Sequence, residues 1–356
     1  MYFINSYVYF RGVLHDGNVP FDGVLETVQR LHEAGKELIV LSNSSKQQDQ
    51  SYKSLQQLGF DPLWFTSIIT SGQVTYHLLQ GHTPTSNKDY PLAPQPWSVL
   101  EDLKKTNNNH NNKKLNMFCL GSGSGDQEYI ELCGGVVAKD IETADLIVAR
   151  GTFTILSQNG NMVDKTRDGD DAYHAALQDV LEEAARRQLP MIVANPDKVR
   201  PDGGRSPMPG QIGDQYNHQL LMMSGESTDT TDDHKEQPDH KLIKRIGKPF
   251  DDVYEIALRG KSQDERKRVC MVGDALETDV LGAYSQQIDG IWVVNNGIHN
   301  QEVETAGNGN DFRQGCATVM NEFHRRTDTY YAKSKNQKKD APSLLVPAVI
   351  VPHFQW

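Results

Sequence analysis

Short apolar runs alternate with amphipathic stretches along the N-terminal part of the chain. Three of these apolar runs are rich in β-branched and aromatic residues, which is typical of strands buried in a parallel sheet: SYVYFRGVL, ELIVLS and SIIT. Between the first two, apolar residues recur at helical spacing from Val24 to Leu31, and a second helix is predicted over about residues 46–58. This alternation predicts a doubly wound sheet with right-handed crossovers.

A second block of the same kind lies in the middle of the chain. It contains the apolar runs LNMFCL, DLIVAR and PMIVAN and a helix predicted over residues 172–187. The first pattern then resumes with the helical stretch DDVYEIAL and the strands RVCMVG and GIWVV. The sequence therefore predicts the α/β class. A discontinuous, doubly wound parallel core of residues 1–92 and 241–356 would carry an inserted α/β unit of residues 115–222.

Two polar stretches separate these blocks. TNNNHNNKK is rich in asparagine, and SGESTDTTDDHKEQPDH carries several acids, a single lysine and almost no apolar residue. Such segments cannot bury enough apolar surface to offset the entropy cost of ordering. We therefore assign residues 93–114 and 223–240 to flexible, low-complexity inserts. An acidic segment that binds a partner is an alternative supported by charge alone.

Composition narrows the class of protein. Of the 356 residues, 37% are hydrophobic and 23% charged, which excludes a disordered, collagen-like or coiled-coil chain. No apolar run reaches the roughly 18 residues that span a membrane, and MYFINSYVYFRG does not resemble a secretory signal. We expect a soluble, cytoplasmic protein that does not bind a membrane.

Charge and cysteine content add two expectations. A net charge of −11 without a basic stripe argues against nucleic acid as a partner. The four cysteines are scattered, with no CxxC pair, which favours free buried thiols in a reducing compartment over a disulfide or zinc framework. The sequence leaves open whether the protein forms a homodimer.

One pair of carboxylates suits a metal ion. RVCMVGDALETDVLGA places Asp274 directly after a buried strand and Asp279 at the head of the next helix. Two carboxylates beyond a strand end suit a hard cation such as Mg²⁺. In the structural alternative, Asp279 caps a helix and Asp274 holds a turn. These residues alone do not decide between the two.

Other segments carry groups that suit an anion. ELIVLSNSS puts Ser42 and Asn43 beside the amides of a following helix, which is typical of a phosphate cradle but also of an ordinary turn. Lys248 in IGKPF could neutralise a phosphate, although most such lysines are solvated. LGSGSG lacks the third glycine of a dinucleotide-binding loop, so we predict a flexible turn there. A dinucleotide-binding oxidoreductase is the weakest alternative.

Taken in order, these elements resemble the haloacid dehalogenase (HAD) superfamily, in its NagD-like class IIA branch. RGVLHDGNVPFDG, LSNSS, GKPFDDVYEIAL and GDALETDVLGA resemble its four motifs, and the inserted block lies where that branch carries an α/β cap. The resemblance implies a Rossmann-like core with a cap domain. It also implies a Mg²⁺-dependent phosphohydrolase that acts on a small phosphorylated metabolite through an aspartyl-phosphate.

The resemblance implies roles for individual residues. Ser42 would bind the phosphoryl oxygens, Lys248 would disperse the charge that develops on them, and Asp274 would ligate Mg²⁺ with support from Asp279. The strings VANPDKV and PGQIGDQYN resemble the part of the cap that faces the substrate. The residues expected to bind substrate are Asn43, Asn195, Asp197 and Gly210.

The chain departs from the family at the first motif. The nucleophile position is Tyr9, and Arg11 stands where many relatives carry the general acid. A tyrosine phenol titrates near pH 10 and offers Mg²⁺ no carboxylate, and an arginine would compete with the cation. Asp16 lies past the strand end and does not replace the nucleophile. We therefore predict a loss of turnover on the order of 10⁴–10⁶.

Two interpretations of this departure remain. In the first, the chain is a phosphatase whose turnover is lowered at Tyr9, or whose first few residues are misread. In the second, it is a catalytically silent protein in which Ser42, Lys248 and Arg11 hold a phosphometabolite. The three intact motifs favour the first, because a silent site has no catalytic reason to keep them.

Overall fold

The computed structural model describes residues 5–9, 12–84, 91–108, 113–157, 160–198, 207–225, 239–333 and 346–355. Its strands are β1 (Asn5–Tyr9), β2 (Glu37–Ser42), β3 (Ser67–Thr70), β4 (Asn116–Leu120), β5 (Val136–Val137), β6 (Leu146–Ala149), β7 (Thr154–Leu156), β8 (Met162–Asp164), β9 (Met191–Val193), β10 (Ile243–Arg245), β11 (Val269–Gly273), β12 (Asp289–Val293) and β13 (Val349–Val351). Its α-helices are α1 (Val24–Glu33), α2 (Gln48–Gln57), α3 (Ser71–Gln80), α4 (Ser98–Asn108), α5 (Asp126–Leu132), α6 (Lys165–Asp168), α7 (Asp170–Arg186), α8 (Pro209–Ser224), α9 (Asp251–Ala257), α10 (Gln263–Arg266), α11 (Leu281–Ser285), α12 (Asn300–Ala306) and α13 (Phe312–Lys333). A 3₁₀ turn (Pro62–Trp64) and a π-helical turn (Leu276–Val280) complete the elements.

Two parallel sheets organise these elements. The larger sheet has the strand order β13-β12-β11-β1-β2-β3, and the smaller sheet the order β10-β9-β6-β4-β5. Every strand pairing within the two sheets is parallel. A short antiparallel hairpin of β7 and β8 lies beside them. The predicted α/β class, with a doubly wound parallel core and a second α/β block, is confirmed.

The larger sheet reverses its direction of winding at β1. From β1 the chain proceeds to β2 and β3 on one side, and after the smaller sheet it returns to β11, β12 and β13 on the other. Strands β2 and β11 are buried along nearly their whole length, as their apolar sequences predict. In such sheets ligands bind outside the carboxyl ends of the strands, at the point where the winding reverses. We therefore expect the functional site at the end of β1.

The smaller sheet has its own hydrophobic core. Phe118 on β4, Ile147 on β6, Val193 on β9 and Tyr173 on α7 are all fully buried within one cluster. Strand β10 pairs with β9 in this sheet, although the sequence analysis placed residues 241–356 in the core. That boundary is therefore set too early. A three-residue strand such as β10 carries no pattern that reveals which sheet it joins.

The predicted inserts coincide only partly with irregular structure. Residues 98–108, within the predicted linker 93–114, form α4, which reaches into the asparagine-rich stretch. The remainder of that stretch, residues 109–112, and residues 226–238 of the acidic insert lie outside the described residues. The division into core, cap and linkers otherwise remains a prediction.

Two expectations from composition can be compared with the structure. All four cysteines are free thiols, of which three are buried and Cys119 is half-buried, so the prediction of free thiols is confirmed. None of the helices in the described ranges has the length and apolar character of a membrane-spanning segment.

The burial of β2 gives a test of the larger sheet. Leu38 on β2 is 0% exposed, whereas Leu63 in the 3₁₀ turn is 80% exposed. We expect Leu38→Ala to lower the free energy of unfolding by about 2–5 kcal/mol, because it opens a cavity in a packed core, and Leu63→Ala to change it by less than about 0.5 kcal/mol. Denaturant unfolding of both variants measures the difference, and equal effects would contradict the assignment of β2 to the core.

Candidate functional site

Three adjacent strands of the larger sheet end at one edge. Tyr9 is the last residue of β1 and is in register with Leu41 of β2, Ser42 ends β2, and Asp274 follows the end of β11. Because parallel neighbours place their carboxyl ends together, the sheet brings these positions to the same edge. The backbone of Tyr9 is described, but its side chain and the whole of Arg11 lie outside the described residues.

A buried ion pair lies at the centre of this edge. The Nζ of Lys248 donates to Oδ1 of Asp279 at 2.7 Å, and the two side chains are 0% and 1% exposed. The other carboxylate oxygen of Asp279 accepts from the Ala275 amide at 3.1 Å. Removing one partner of such a pair leaves an uncompensated charge, which costs about 3–5 kcal/mol. The pair therefore fixes the loop that carries Lys248 against the turn that carries Asp279.

The turn after β11 is wider than an α-helical turn. Residues Leu276–Val280 are π-helical, and the Asp279 and Val280 amides both donate to the Ala275 carbonyl oxygen. This widening brings the Asp279 carboxylate back to the Ala275 amide. Single π-helical turns occur frequently at functional sites. Asp279 lies inside this turn and does not cap a helix, which was the structural alternative left open by the sequence.

Asp274 is buried, and only one of its two carboxylate oxygens accepts a hydrogen bond from the described residues. Its Oδ2 accepts from the Ile298 amide at 3.1 Å, whereas Oδ1 has no hydrogen-bond partner among the described residues. Gly12, at φ 92°, lies against this carboxylate so closely that a Cβ there would be 2.3 Å from Oδ2. Burial and then the like charge of Asp279 raise the pKa of Asp274 to about 8, against the opposing charge of Lys248.

This environment fits a cation at Asp274 but not at Asp279. A buried carboxylate oxygen without a donor is the kind of ligand that Mg²⁺ takes. The two oxygens of Asp279 already accept hydrogen bonds from Lys248 and from the Ala275 amide, and its supporting role stays a prediction. Within the part of the chain that the structure describes, no group of three His, Cys, Asp or Glu residues could hold a metal.

Ser42 and Asn43 contact different partners. Ser42 is buried, and its Oγ accepts from the Ser44 amide at 3.2 Å, while its hydroxyl donates to no partner among the described residues. Asn43 donates from Nδ2 to Asp197 Oδ1 at 2.7 Å and to the Lys248 carbonyl oxygen at 2.9 Å. Its Oδ1 accepts from the Lys248 amide at 2.7 Å. Asn43 therefore positions Lys248 and Asp197 and has no polar atom without a contact.

Asp197 extends from the end of β9 to the larger sheet. Its side chain is half-buried, and burial raises its pKa while the hydrogen bond from Asn43 opposes that rise. Asn195 accepts from the Asp197 amide at 3.0 Å, and the Gly210 amide donates to the Asp197 carbonyl oxygen at 3.0 Å. A Cβ at Gly210 would lie 2.2 Å from the Pro196 carbonyl oxygen. The structure thus brings Asp197 to the site, with Asn195 and Gly210 shaping its loop.

Sequence reasoning missed the residues behind Asp274. Trp292 donates from Nε1 to the Asp274 carbonyl oxygen at 3.1 Å, and its ring meets His299 edge to face at 5.8 Å. His299 is hydrogen-bonded to Glu277 and Glu302, each at 2.9 Å. Burial opposes its protonation, but these two carboxylates raise the pKa of His299 to about 9. No sequence motif contains His299; its only signal is a histidine shortly after a buried strand.

The pKa of His299 predicts a pH dependence of stability. Because the folded-state pKa of about 9 exceeds the ordinary 6.5, the ion pairs stabilise the fold fully below about pH 6.5, and this contribution is lost as the pH rises through 9. We expect His299→Gln to lower the free energy of unfolding more at about pH 6 than at about pH 10. Denaturant unfolding at both values measures this, and the same deficit at each pH would count against the pairing.

Comparison with known proteins agrees with this arrangement. The model of the family "Haloacid dehalogenase-like hydrolase" matches residues 10–128, and the HAD-hydrolase-like model matches residues 245–313. Together they cover more than half of the chain, and the first match begins one residue after Tyr9. The fold and these matches define a hydrolase built on a doubly wound parallel sheet. The chain belongs to the haloacid dehalogenase-like hydrolases.

Individual relatives are distant in sequence. A 4-nitrophenylphosphatase of Schizosaccharomyces pombe is 24% identical over 303 residues, which are 82% of this chain and 83% of the relative. NagD from Escherichia coli K-12 is 16% identical with a TM-score of 0.51, covering 99% of this chain and 98% of NagD. A haloacid dehalogenase-like hydrolase from Brucella suis is 20% identical with a TM-score of 0.54, covering 84% and 88%. The structural likenesses show the shared fold.

Proposed function

We propose that this protein is a Mg²⁺-dependent phosphatase of small phosphorylated metabolites whose turnover is lowered at Tyr9. The observation that carries the proposal is the buried Asp274 carboxylate, with one oxygen lacking a donor, beside the Lys248–Asp279 ion pair. Both lie where β1, β2 and β11 end. The name of the Schizosaccharomyces pombe relative, a 4-nitrophenylphosphatase, supports phosphomonoesters as the substrate class.

The binding of a phosphoryl group follows from the described contacts. The Ser42 hydroxyl accepts from the Ser44 amide, so its proton can be donated to a phosphoryl oxygen. Lys248 is held by Asp279, and a fixed ammonium group stabilises charge that develops on the phosphoryl oxygens without having to reorganise. Mg²⁺, when bound at Asp274, would neutralise further phosphate charge.

Position 9 is where hydrolysis is expected to fail. In the family, an aspartate at the end of the first strand attacks phosphorus and water then hydrolyses the aspartyl-phosphate. Tyr9 ends β1, and a phenol that titrates near pH 10 is a poor substitute for that carboxylate. The rest of the site keeps the groups that bind and neutralise phosphate, so we expect binding to persist where turnover does not.

Restoring the carboxylate tests this proposal. With p-nitrophenyl phosphate and Mg²⁺, we expect Tyr9→Asp to hydrolyse substrate on the order of 10³-fold or more faster than the parent chain, because it supplies the missing nucleophile. Tyr9→Asn is the matched control, since it has the same size without the nucleophilic charge, and it should remain inactive. Adding Asp274→Asn to Tyr9→Asp should abolish the gain. Equal turnover by the parent chain would contradict our placement of the nucleophile.

A catalytically silent phosphometabolite-binding protein is the second candidate. It is favoured by the chemistry of the described site, where Asp274 is the one carboxylate with a buried oxygen that lacks a donor among the described residues, and Tyr9 adds no carboxylate. In this interpretation inorganic phosphate raises the melting temperature of the parent chain without any need for Mg²⁺. If neither the parent nor Tyr9→Asp hydrolyses substrate while phosphate still stabilises both, this candidate replaces the first.

The contact of Asp197 with Asn43 predicts an effect on substrate preference. Asp197 is the carboxylate that the smaller sheet places at the site, so it is the group best placed to meet the rest of a phosphorylated metabolite. In the Tyr9→Asp background, we expect Asp197→Asn to change the ratio of kcat/KM between anionic and neutral phosphomonoesters by about tenfold. Asp179→Asn, at an exposed position of α7, should leave that ratio unchanged. Equal ratios for both variants would remove Asp197 from substrate recognition.

A further inference from the structure

The glycine-rich LGSGSG segment forms an anion-binding loop whose donors are occupied by a carboxylate of the same chain. The Asp126 carboxylate accepts from the Ser122 amide and hydroxyl, each at 3.1 Å, and from the Gly123 amide at 2.9 Å. Thr154 Oγ1 also donates to it at 3.3 Å. The flexible turn predicted from the sequence is therefore a loop closed around a carboxylate, and this loop begins helix α5.

The carboxylate in this loop holds a buried arginine. Arg150 Nη1 lies 2.9 Å from Asp126 Oδ1, and the two side chains are 7% and 15% exposed. The guanidinium group lies over the ring of Tyr129 at 4.1 Å, and Nη2 lies 3.5 Å from the Ser45 carbonyl oxygen. Stacking of a guanidinium on an aromatic face restricts both groups. Asp126 and Arg150 thus fix the position of the Tyr129 ring.

Tyr129 connects the smaller sheet to the segment of Ser42 and Ser44, where phosphate is expected to bind. Its hydroxyl donates to the Gly72 carbonyl oxygen at 2.7 Å. The Gly72 amide donates to the Ser44 carbonyl oxygen at 3.0 Å, and the Ser44 amide donates to Ser42 Oγ at 3.2 Å. Three consecutive hydrogen bonds therefore run from the Tyr129 hydroxyl to the hydroxyl expected to bind phosphate.

We infer that Tyr129 is a positioning residue for Ser42, acting through Gly72 and Ser44 and held in place by Arg150 and Asp126. The inference rests on the proposed function, in which Ser42 binds the phosphoryl group. A hydroxyl that must accept from one amide and donate to phosphate binds well only in one orientation. The smaller sheet therefore contributes to phosphate affinity through a residue that does not touch the ligand.

Removing one hydroxyl group tests the inference in the full chain. Tyr129→Phe keeps the ring under Arg150 and deletes the hydrogen bond to the Gly72 carbonyl oxygen, together with the contact of the hydroxyl with the Cys133 thiol. We expect amide hydrogen exchange at Gly72 and Ser44 to accelerate, and the Kd for inorganic phosphate to rise, each by about 5–10-fold, the effect of losing one buried hydrogen bond. Arg150→Lys, which keeps the charge beside Asp126 but loses the planar stacking, should change both quantities in the same direction.

Two other tyrosines of the same α/β unit are matched controls. The Tyr216 hydroxyl donates to the carbonyl oxygens of Ala184 and Leu189 at 3.2 and 2.6 Å, so Tyr216→Phe loses comparable bonds away from the site. The Tyr173 hydroxyl is buried without a hydrogen-bond partner among the described residues, so Tyr173→Phe loses none. Neither variant should alter exchange at Ser44 or the Kd for phosphate, even where Tyr216→Phe lowers stability.

The two readouts separate this inference from the proposed function. Unchanged exchange at Gly72 and Ser44 in Tyr129→Phe overturns the inference, as does an equal increase in Tyr216→Phe. Accelerated exchange with no effect on a measurable Kd for phosphate also overturns it, because Ser42 would then bind phosphate without help from Tyr129. If the parent chain binds no phosphate but Tyr129→Phe alone accelerates exchange at Ser44, the proposed function fails and the positioning of the loop stands.

Discussion

A lysine and an aspartate that face each other entirely out of water set the conditions for the rest of this site. The Lys248–Asp279 pair is tolerated only because its surroundings supply further hydrogen bonds, from Asn43 to the Lys248 backbone and from the Ala275 amide to Asp279. These contacts join the loops after β2, β10 and β11. A change in any one loop therefore alters the desolvated charges of the others, so their positions are determined together.

The balance of charge in the site depends on position 9. With an aspartate there, three carboxylates would share the edge with Lys248, an arrangement that attracts a divalent cation strongly. With Tyr9, the larger sheet contributes two carboxylates, one of them neutralised by Lys248, and Asp197 is added from the smaller sheet. Tyr9 therefore adds no negative charge to this edge, while Ser42 and Lys248 keep their contacts with Ser44 and Asp279.

Local sequence patterns were sufficient for part of this structure. The apolar runs predicted β2, β3, β6 and β11, and Ser42 and Asp274 lie at one edge because parallel strands leave their carboxyl ends together. Lys248 follows β10 of the smaller sheet, so only the resemblance to the family placed it with them. The partner sheet of β10 was not predictable, since three residues carry no pattern of burial. The contacts of Asn43 with Asp197 and of Tyr129 with Gly72 join residues distant in the chain, and no local pattern encodes them. The filled LGSGSG loop was missed because its anion is a side chain of the next helix.

The strand order has a consequence for the growing polypeptide. β1 lies in the middle of the larger sheet, but its neighbour β11 is far away in the sequence. Asn5 of β1 pairs with Val269 of β11, which is synthesised much later. At about 5–20 residues per second, a ribosome leaves that side of β1 without its partner for on the order of tens of seconds. During that interval the smaller sheet, whose last strand is β10, can already close. The exposed edge of β1 can then pair with strands of other chains. Substitutions that weaken β11 would therefore lower the yield of folded protein, even where the activity of the folded molecules is unchanged.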